Sequence, residues 1–396
     1  MLRQIRIAVG RRWRQPVQAA VDHGMPARWT GHRFVRRETV PEHVARLARA
    51  GEVYPYEVIH PETVAHNPLP RNVPRRDELP DDAGWWGYSF RDVPERRSAP
   101  TFLATLPDCR IVSYRDPALQ DDYYPAILAS DDTSIEMREI RFRPPHARAL
   151  RTSGPPVRLQ RATWVVERVF HNHSHWLSAH LPKLLMLAER DALEDVLLPA
   201  DLAPAIEQSL RLVGLDPDGF RRFDESRPLQ VAELTVVGTD RFRPELLRLA
   251  QRASGALEGE RPTRRVFISR AKATRRRLIN EDEVWPLLAD AGFERTVMED
   301  LSFDDQVRLM HQTAVLFAPH GAGLTNMVFC PPGTQVVEVA DLSFPNPNFY
   351  ATAAAVGHDY WLLKATSVGD VHPLERDLHV DPAVVRDALD ALGLGR

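Results

Sequence analysis

The chain has 396 residues, 51 of them Lys or Arg against 54 Asp or Glu, with a formal charge of −3 and 43% hydrophobic residues. This length exceeds one ordinary core and predicts two or three domains. The balanced charge excludes a protein whose whole surface is built to bind polyanions, while local basic clusters stay open, and the hydrophobic content excludes disorder throughout. Cys109 and Cys330 are too few for a disulfide framework and form no CxxC pair, which fits a reducing compartment.

The sequence carries no clear membrane or export signal. No apolar run approaches the roughly 18 to 20 residues of a membrane span, and the first residues lack the apolar core of a signal peptide. We therefore expect a cytoplasmic protein. Basic residues near the start could rest on an anionic membrane surface, at the inner face of the membrane, although a frayed basic terminus also accounts for them. These residues are Arg3, Arg6, Arg11, Arg12 and Arg14.

The first part of the chain contains few periodic segments. Residues 55–156 are dense in Pro, Asp and Arg, as in NPLPRNVPRRDELPDD, and this composition predicts loops, short strands and hairpins. From Thr163 onward strands alternate with helices, which predicts a parallel, doubly wound sheet. We predict an N-terminal, Pro-rich, mostly β or irregular extension over residues 1–100 and a first Rossmann-like domain over residues 101–240.

The most regular alternation of strands and helices begins at Arg264. The apolar segments RRVFISR, FERTVME, VLFAPHG and QVVEVAD are separated by the helical patterns INEDEVWPLLADAG, FDDQVRLMHQTA and GLTNMVFC. This βαβ series predicts a second Rossmann-like domain within residues 241–396, after a linker between Gly238 and Arg264. Two such α/β domains facing a cleft would bind ligands beyond the carboxyl ends of their strands.

A glycine-rich turn follows the strand VLFAP. It contains His320, Gly321, Ala322 and Gly323, and a helix is predicted to begin near Leu324. Glycines allow a ligand to approach the backbone, and the free N–H groups at a helix start attract phosphate. Thr325 and Asn326 can add hydrogen bonds. The turn matches neither GxGxxG nor the Walker pattern, so simple turn chemistry remains an equal alternative.

A basic loop follows the strand RRVFISR. Its polar residues are Ser269, Arg270, Lys272, Arg275, Arg276, Arg277 and Asn280. Guanidinium groups match phosphate oxygens, and the loop leaves the sheet at the edge that carries HGAGLTN. A solvated loop or a nucleic-acid patch are the alternatives. The shared edge favours binding of a diphosphate.

Four histidines cluster at the strand-to-helix junction HNHSHWLSAHLPKL. They are His171, His173, His175 and His180. Histidine can act as a base near neutral pH, and His175, beside Trp176, is the preferred candidate. Zinc binding ranks below this role because no acidic or Cys ligand has the usual spacing. Most of these side chains could instead cap the helix or fill polar core positions.

Two glutamates lie at predicted strand ends. Glu299 ends FERTVME and Glu338 lies within QVVEV. Carboxylates at such positions often accept hydrogen bonds from ribose or sugar hydroxyls. A helix cap for Glu299 and an ion pair for Glu338 are equally compatible with the sequence.

Taken together, HNHSHWLSAHLPKL, FISRAKATRRRLINEDEV and FAPHGAGLTNMVFCPPGTQVVEV resemble the motifs of glycosyltransferase family 61, in the same order and spacing, over roughly residues 100 to 370. The resemblance implies a GT-B architecture, inversion at the anomeric carbon, a nucleotide-sugar donor held mainly by the C-terminal domain, and no essential metal or other cofactor.

The resemblance also implies a donor site and an acceptor site. The donor-site residues are Ser269, Arg270, Arg276, Arg277, Asn280, His320, Gly321, Ala322, Gly323, Leu324 and Asn326, to which the strand-end position adds Glu299 and Glu338. The acceptor-site residues are Asn172, His173, His175 and Trp176. Family members often carry an acidic residue shortly after the His-Trp pair, where this chain has Ser178, Ala179 and His180. We therefore expect His175 or His180 to be the catalytic base.

These expectations predict transfer of a sugar to a saccharide or glycolipid acceptor in polysaccharide, capsule or lipopolysaccharide assembly. Three alternatives remain. A nucleotide-binding oxidoreductase is disfavoured because GxGxxG is missing. A His-metal hydrolase and a non-catalytic saccharide-binding protein stay open.

Overall fold

The computed structural model describes residues 36–84, 86–116, 122–255 and 261–395. The fold is mixed α/β, with two large sheets and one two-stranded sheet. The basic residues near the start of the chain lie outside the described ranges. No helix within these ranges has the length and apolar character that crossing a membrane requires.

Seventeen strands form the sheets of the described residues. They are β1 Arg37–Thr39, β2 Tyr56–His60, β3 Thr63–His66, β4 Glu95–Ser98, β5 Thr101–Asp116, β6 Asp122–Leu128, β7 Ser134–Glu136, β8 Val157–Trp164, β9 Val196–Pro199, β10 Arg221–Phe223, β11 Leu229–Gly238, β12 Arg264–Ser269, β13 Phe293–Val297, β14 Thr313–Pro319, β15 Gln335–Asp341, β16 Asp359–Val368 and β17 Asp377–His379.

The described residues also form α-helices. They are α1 Val40–Arg49, α2 Pro144–Thr152, α3 His173–His175, α4 Leu181–Ala188, α5 Pro204–Leu212, α6 Pro244–Ala253, α7 Glu281–Asp290, α8 Phe303–His311, α9 Asn348–Val356 and α10 Pro382–Ala391.

The first sheet is only partly parallel. Its order is β1-β7-β6-β5-β11-β8-β9-β10, with β2 paired to β5. Strands β11, β8, β9 and β10 are parallel, whereas β5 pairs antiparallel with β2, β6 and β11. Only five residues separate β5 from β6, too few for the crossover that parallel neighbours need. The predicted parallel arrangement from Thr163 onward is therefore limited to β8, β9, β10 and β11, and β1 with β7 forms one further parallel pair of this sheet.

The N-terminal stretch contacts both halves of the molecule, the first half being the part that contains the first sheet and the second half the part that contains the other large sheet. Strand β2 pairs with β5, while β3 and β4 pair with each other. Farther along, Asn72 Nδ2 donates to the Leu362 carbonyl at 2.7 Å, and Leu362 N–H donates back to Asn72 Oδ1 at 2.9 Å. The Tyr350 hydroxyl donates to the Pro68 carbonyl at 2.5 Å. These residues therefore connect the first sheet to the second half rather than forming an isolated appendage.

The second sheet follows the predicted βαβ series closely. Its order is β13-β12-β14-β15-β16-β17, and every neighbouring pair except β16 with β17 is parallel. Val266, Phe267 and Phe317 are fully buried, as expected of strands covered on both faces. The carboxyl ends of β12, β14 and β15 therefore meet at one edge.

Two segments of the second half differ in detail from what the sequence led us to expect. The segment predicted as a linker contains α6, whose Leu246, Leu247 and Ala250 are buried at the helical spacing. The segment after His320 is a 3-10 helix, Ala322–Phe329, rather than an α-helix. Its apolar side chains pack into the core.

The histidine-rich segment forms one continuous helical stretch with a wide turn in its middle. Helix α3 leads into a π-helical turn, Trp176–His180, and then into α4. Pro182 lacks an N–H and its ring would clash with the Ser178 carbonyl in a regular α-helix. The wider turn relieves this clash and orients His180 toward the core.

Candidate active site

The basic loop and the HGAGLTN segment meet at the carboxyl edge of the second sheet. Arg276, His320 and Asn346 line one small pocket, whose other walls include Phe344 and Leu378. The sequence predicted the first two of these residues. Asn346 was missed, because the loop after β15 carries no recognisable motif.

Arg276 contributes a cation to the wall of this pocket. Its φ of 53° places it in the left-handed region, which turns the side chain toward the pocket. Within the described structure its Nε has no hydrogen-bond partner. Burial, together with the nearby cations of Arg270 and Arg275, lowers the pKa of Arg276 to about 10. A charged, incompletely bonded guanidinium in a pocket is suited to bind an anion.

Arg270 has a different role, because it holds the basic loop in shape. Its Nε donates to the Arg276 carbonyl at 2.9 Å and its Nη2 donates to the Arg275 carbonyl at 2.8 Å. The guanidinium lies directly against Gly321, where a Cβ would come within 2.0 Å of Nη1. Gly321 is therefore required for close packing of Arg270 against the turn.

His320 belongs to a buried hydrogen-bond network. Its Nδ1 is bonded to the carboxylate of Glu338, which also accepts from the Tyr360 hydroxyl. Its Nε2 faces Asn346 Nδ2 at 3.1 Å, so the imidazole is assigned as the neutral Nδ1–H tautomer. Burial lowers the pKa of His320, although Glu338 opposes this effect. His320 is therefore neutral near pH 7, and the positive charge of the pocket comes from Arg276 and Arg376.

Several predicted donor residues lie outside this pocket. Ser269 donates to the carboxylate of Glu281 at 2.8 Å. Asn280 exchanges hydrogen bonds with the backbone of Val380 at 2.7 and 3.2 Å. Arg277 is exposed and forms an ion pair with Asp377 at 2.7 Å. Their polar groups already have partners, so these three residues stabilise the loop and its surroundings.

The remaining predicted donor residues are divided between core and surface. Leu324 is a core residue, whereas Ala322 and Gly323 are partly exposed at the start of the 3-10 helix. Glu299 does not end a strand; it is exposed in a 3-10 turn, Met298–Asp300. Ser302, not Glu299, caps α8.

Asn326 connects the two halves of the molecule. Its Oδ1 accepts from His173 Nε2 at 2.7 Å, and its Nδ2 donates to Gln306 Oε1 at 2.8 Å. Asn326 is completely buried. Because both ends of its amide are used within the protein, Asn326 positions His173 rather than a donor molecule.

A large cavity lies on the side of the first sheet. Its volume is about 920 Å³, and its walls include His175, Arg241, Glu139 and residues 86–88. The Tyr88 hydroxyl in this wall donates to Asn348 Oδ1 at 2.7 Å. Asn348 N–H in turn donates to Asn346 Oδ1 at 3.1 Å. The cavity and the Arg276 pocket are thus adjacent, joined through one loop.

Of the two predicted catalytic histidines, only His175 lines this cavity. Burial, followed by the cations of Arg241 and Arg138, lowers the pKa of His175 well below its usual value. His180 is completely buried, with Nε2 accepting from Glu167 N–H at 3.0 Å and Nδ1 donating to the His175 carbonyl at 3.0 Å. With neither ring nitrogen free, His180 cannot be the catalytic base that the sequence suggested.

Two predicted acceptor residues have structural roles. Trp176 is 2% exposed, and its indole N–H donates to Ser209 Oγ at 2.7 Å. It belongs to the core, out of reach of an acceptor. Asn172 caps α3, its Oδ1 accepting from the N–H groups of Ser174 and His175 at 3.0 and 3.3 Å. The cap explains why the helix begins at His173.

The cavity contains charged residues that the sequence did not single out. Buried Glu167 forms ion pairs with Arg138 and Lys183. Burial alone would raise the pKa of Glu167, but these two cations hold it down at about 2. Arg241 follows the end of β11, and a polar TDR segment after a predicted strand was the available signal. The described residues include no group of three or more His, Cys, Asp or Glu arranged to hold a metal ion.

Comparison with known proteins confirms the resemblance to glycosyltransferase family 61. The family model described as Glycosyltransferase 61 matches residues 173–337, which contain the histidine-rich helix, the basic loop and HGAGLTN. This range includes Arg276 and His320, whereas Asn346 and the other walls of the Arg276 pocket lie beyond its end.

Individual relatives align over shorter segments. A beta-1,2-xylosyltransferase of Arabidopsis thaliana is 32% identical over 97 residues, covering 21% of this chain and 18% of the relative. A beta-1,2-xylosyltransferase of Oryza sativa is 35% identical over 127 residues, covering 30% and 22%. The protein O-linked-mannose beta-1,4-N-acetylglucosaminyltransferase 2 of Takifugu rubripes is 31% identical over 103 residues, covering 25% and 17%. The chain thus spans about a fifth of the length of these relatives, all of which are glycosyltransferases.

Proposed function

We propose that this protein is an inverting glycosyltransferase of GT-B type. A nucleotide-sugar donor binds with its phosphates at Arg276, and a saccharide acceptor binds in the adjoining 920 Å³ cavity. The observation that carries the proposal is the incompletely bonded cation of Arg276 at the carboxyl edge of the second sheet, inside the range that the family model matches. Ligands of open α/β sheets bind at this edge.

The proposed role of Arg276 is to stabilise the leaving group. When the bond between the sugar and the nucleotide breaks, negative charge grows on the departing phosphate. A pre-oriented guanidinium in a partly dehydrated pocket stabilises that charge more than water does. Arg270 and Gly321 support this role by fixing the loop that carries Arg276. The side chain supplies the positive charge itself, so we propose that no resident metal or other cofactor is required.

The acceptor hydroxyl must lose a proton as it attacks the anomeric carbon. The cavity wall also contains Glu136, Glu167 and Asp240, each of which forms an ion pair of 3.4 Å or less with an arginine. The groups left to accept the proton are His175 and the carboxylate of Glu139. The strongly lowered pKa of His175 makes its imidazole a weak base. We therefore favour Glu139, whose carboxylate lies 4.0 Å from Arg138 and 3.9 Å from Arg168. It would replace the acidic residue missing after the His-Trp pair.

Nucleotide binding tests the donor site. The full chain is titrated by calorimetry with UDP, GDP, CMP and dTDP in the presence of EDTA. We expect one nucleotide to bind, and Arg276→Ala to weaken it by about 10- to 100-fold, since hydrogen bonds to charged groups contribute about 1.5–3 kcal/mol.

Arg277→Ala is the matched control, because it removes the neighbouring cation that is already paired with Asp377. It should bind the nucleotide as the wild type does. Failure of every nucleotide to bind, or equal binding by Arg276→Ala, would contradict the donor-site assignment. Sugar binding without nucleotide affinity would instead support a non-catalytic saccharide-binding protein.

A further inference from the structure

Arg241 is a buried cation in the wall of the large cavity. It lies three residues after the end of β11 and is 8% exposed. Its guanidinium carbon lies 4.8 Å from the centre of the Phe242 ring. The side chain is therefore held against an aromatic face, with its polar edge at the cavity.

The hydrogen bonds of Arg241 all lead to neutral groups. Its Nε donates to Ser178 Oγ at 2.7 Å, and its Nη2 donates to Ser174 Oγ at 3.1 Å. Its Nη1 lies 3.5 Å from His175 Nε2. Ser174 and Ser178 belong to the helical stretch with the π-turn, so their hydroxyls lie one turn apart and orient the guanidinium.

Other arginines of the same cavity have counter-ions. Arg138 is paired with Glu167, and Arg96 is paired with Asp240 at 2.8 Å. Among the residues that the structure describes, no carboxylate forms an ion pair with Arg241. Burial and the cation of Arg138 lower the pKa of Arg241 to about 10, and the same cations lower the pKa of His175. The carboxylates of Glu139 and Glu167 oppose this lowering. Because Glu167 is already paired with Arg138, Arg241 itself has no carboxylate in direct contact among the described residues.

An uncompensated buried charge is costly unless another group neutralises it. A protein keeps such a cation where a ligand supplies the missing anion, and guanidinium groups are well suited to carboxylate and phosphate oxygens. The cavity has room for a saccharide beside Arg241, and Tyr88 and Phe242 add aromatic walls.

We propose that Arg241 binds an anionic group of the acceptor, so that the protein acts on an acidic saccharide carrying a carboxylate or a phosphate. The proposal rests on the assignment of the cavity as the acceptor site. It goes beyond that assignment by naming the chemical class of the acceptor and the residue that recognises it.

The test compares acidic and neutral sugars of the same shape. The full chain is titrated by calorimetry with methyl glucoside, methyl glucuronide and glucose 6-phosphate. We expect at least one acidic sugar to bind about tenfold or more tightly than methyl glucoside, a difference of about 1.4 kcal/mol. The glucuronide and the phosphate distinguish a carboxylate from a phosphate ligand.

Variants connect this preference to Arg241. Arg241→Gln should bind acidic and neutral sugars with similar affinity. Arg97→Gln is the matched control, since Arg97 touches the same cavity but its side chain is 72% exposed and paired with Glu62. It should keep the preference. If Arg241→Gln does not fold, Arg241→Lys retains the charge without the planar fork and should show a reduced preference.

The proposal is overturned if no acidic sugar binds more tightly than methyl glucoside, or if Arg241→Gln keeps the preference. A purely structural role would lower the melting temperature of Arg241→Gln while leaving the preference intact. Failure of the wild type to bind any nucleotide would contradict the donor-site proposal only. The sugar titrations contain no nucleotide, so they test the role of Arg241 separately.

Discussion

The Asn326 network offers the sharpest test of how the two halves are held together. His173 Nε2 donates to Asn326 Oδ1 at 2.7 Å, Asn326 Nδ2 donates to Gln306 Oε1 at 2.8 Å, and Gln306 Nε2 donates to the Met298 carbonyl at 3.0 Å. The side-chain amides of Asn326 and Gln306 are thus both oriented by these hydrogen bonds. Replacing Asn326 with alanine removes the central member.

The expected cost follows from what Asn326→Ala leaves behind. The N–H of His173 and the Oε1 of Gln306 both lose their partner in a buried region. A buried polar group without a partner costs about 1–3 kcal/mol, so two such groups predict a loss of about 2–6 kcal/mol in the free energy of unfolding. The small cavity left by the missing amide adds to this loss.

A double-mutant cycle with His173→Phe isolates the interaction between the two halves. Urea unfolding is followed by circular dichroism and by tryptophan fluorescence, whose transitions must coincide. The double variant should be less destabilised than the sum of the single variants by about 1–3 kcal/mol, because each single change leaves the other partner unpaired. A coupling energy near zero would refute the proposed bridge.

Thr325→Val is the control at the neighbouring position. Thr325 is buried, and within the described structure its hydroxyl has no hydrogen-bond partner. The change keeps the shape of the side chain and should leave the stability unchanged or raise it. A large loss of stability for this variant would show that the hydroxyl has a partner that the network does not include.

Two further predictions concern the glycine turn and acid stability. Gly321→Ala should displace Arg270, lower the free energy of unfolding by about 1–2 kcal/mol because Arg270 loses hydrogen bonds, and weaken nucleotide binding. Gly323→Ala is the control, since a Cβ there would meet its neighbours at ordinary distances of 3.5 Å or more. Urea unfolding and calorimetry should show only small effects for this control. Burial lowers the pKa of both His146 and His358 to about 4, below the unfolded value near 6.5. Between these values the unfolded chain binds more protons than the folded one. The free energy of unfolding should therefore fall as the pH drops from 6.5 to 4, by about 1.4 kcal/mol per pH unit for each histidine. His358→Gln should make the urea midpoint less dependent on pH over this window, and an unchanged slope would contradict the assignment.

The sequence by itself determined much of the second half. Alternating strand and helix patterns from Arg264 onward predicted four of its parallel strands, because periodicity is a local property of the chain. The motifs around His175, Arg276 and His320 also identified the family resemblance that comparison confirmed. In the first half the hairpin expected around ATLPDCRIVSYRD and YPAILAS was confirmed by the antiparallel pairing of β5 with β6. The expected parallel sheet was only partly found there, because this hairpin makes the sheet mixed.

Only the tertiary structure decided which charged groups are available to a ligand. Arg270, Arg276 and Arg277 are equivalent in the sequence, but one binds loop carbonyls, one faces the pocket and one pairs with Asp377, a hundred residues away. Arg241 stood out only when the fold placed it beside neutral hydroxyls, with no ion pair to a carboxylate of the residues that the structure describes. The availability of a charge depends on partners and solvent, which long-range contacts determine and local composition does not.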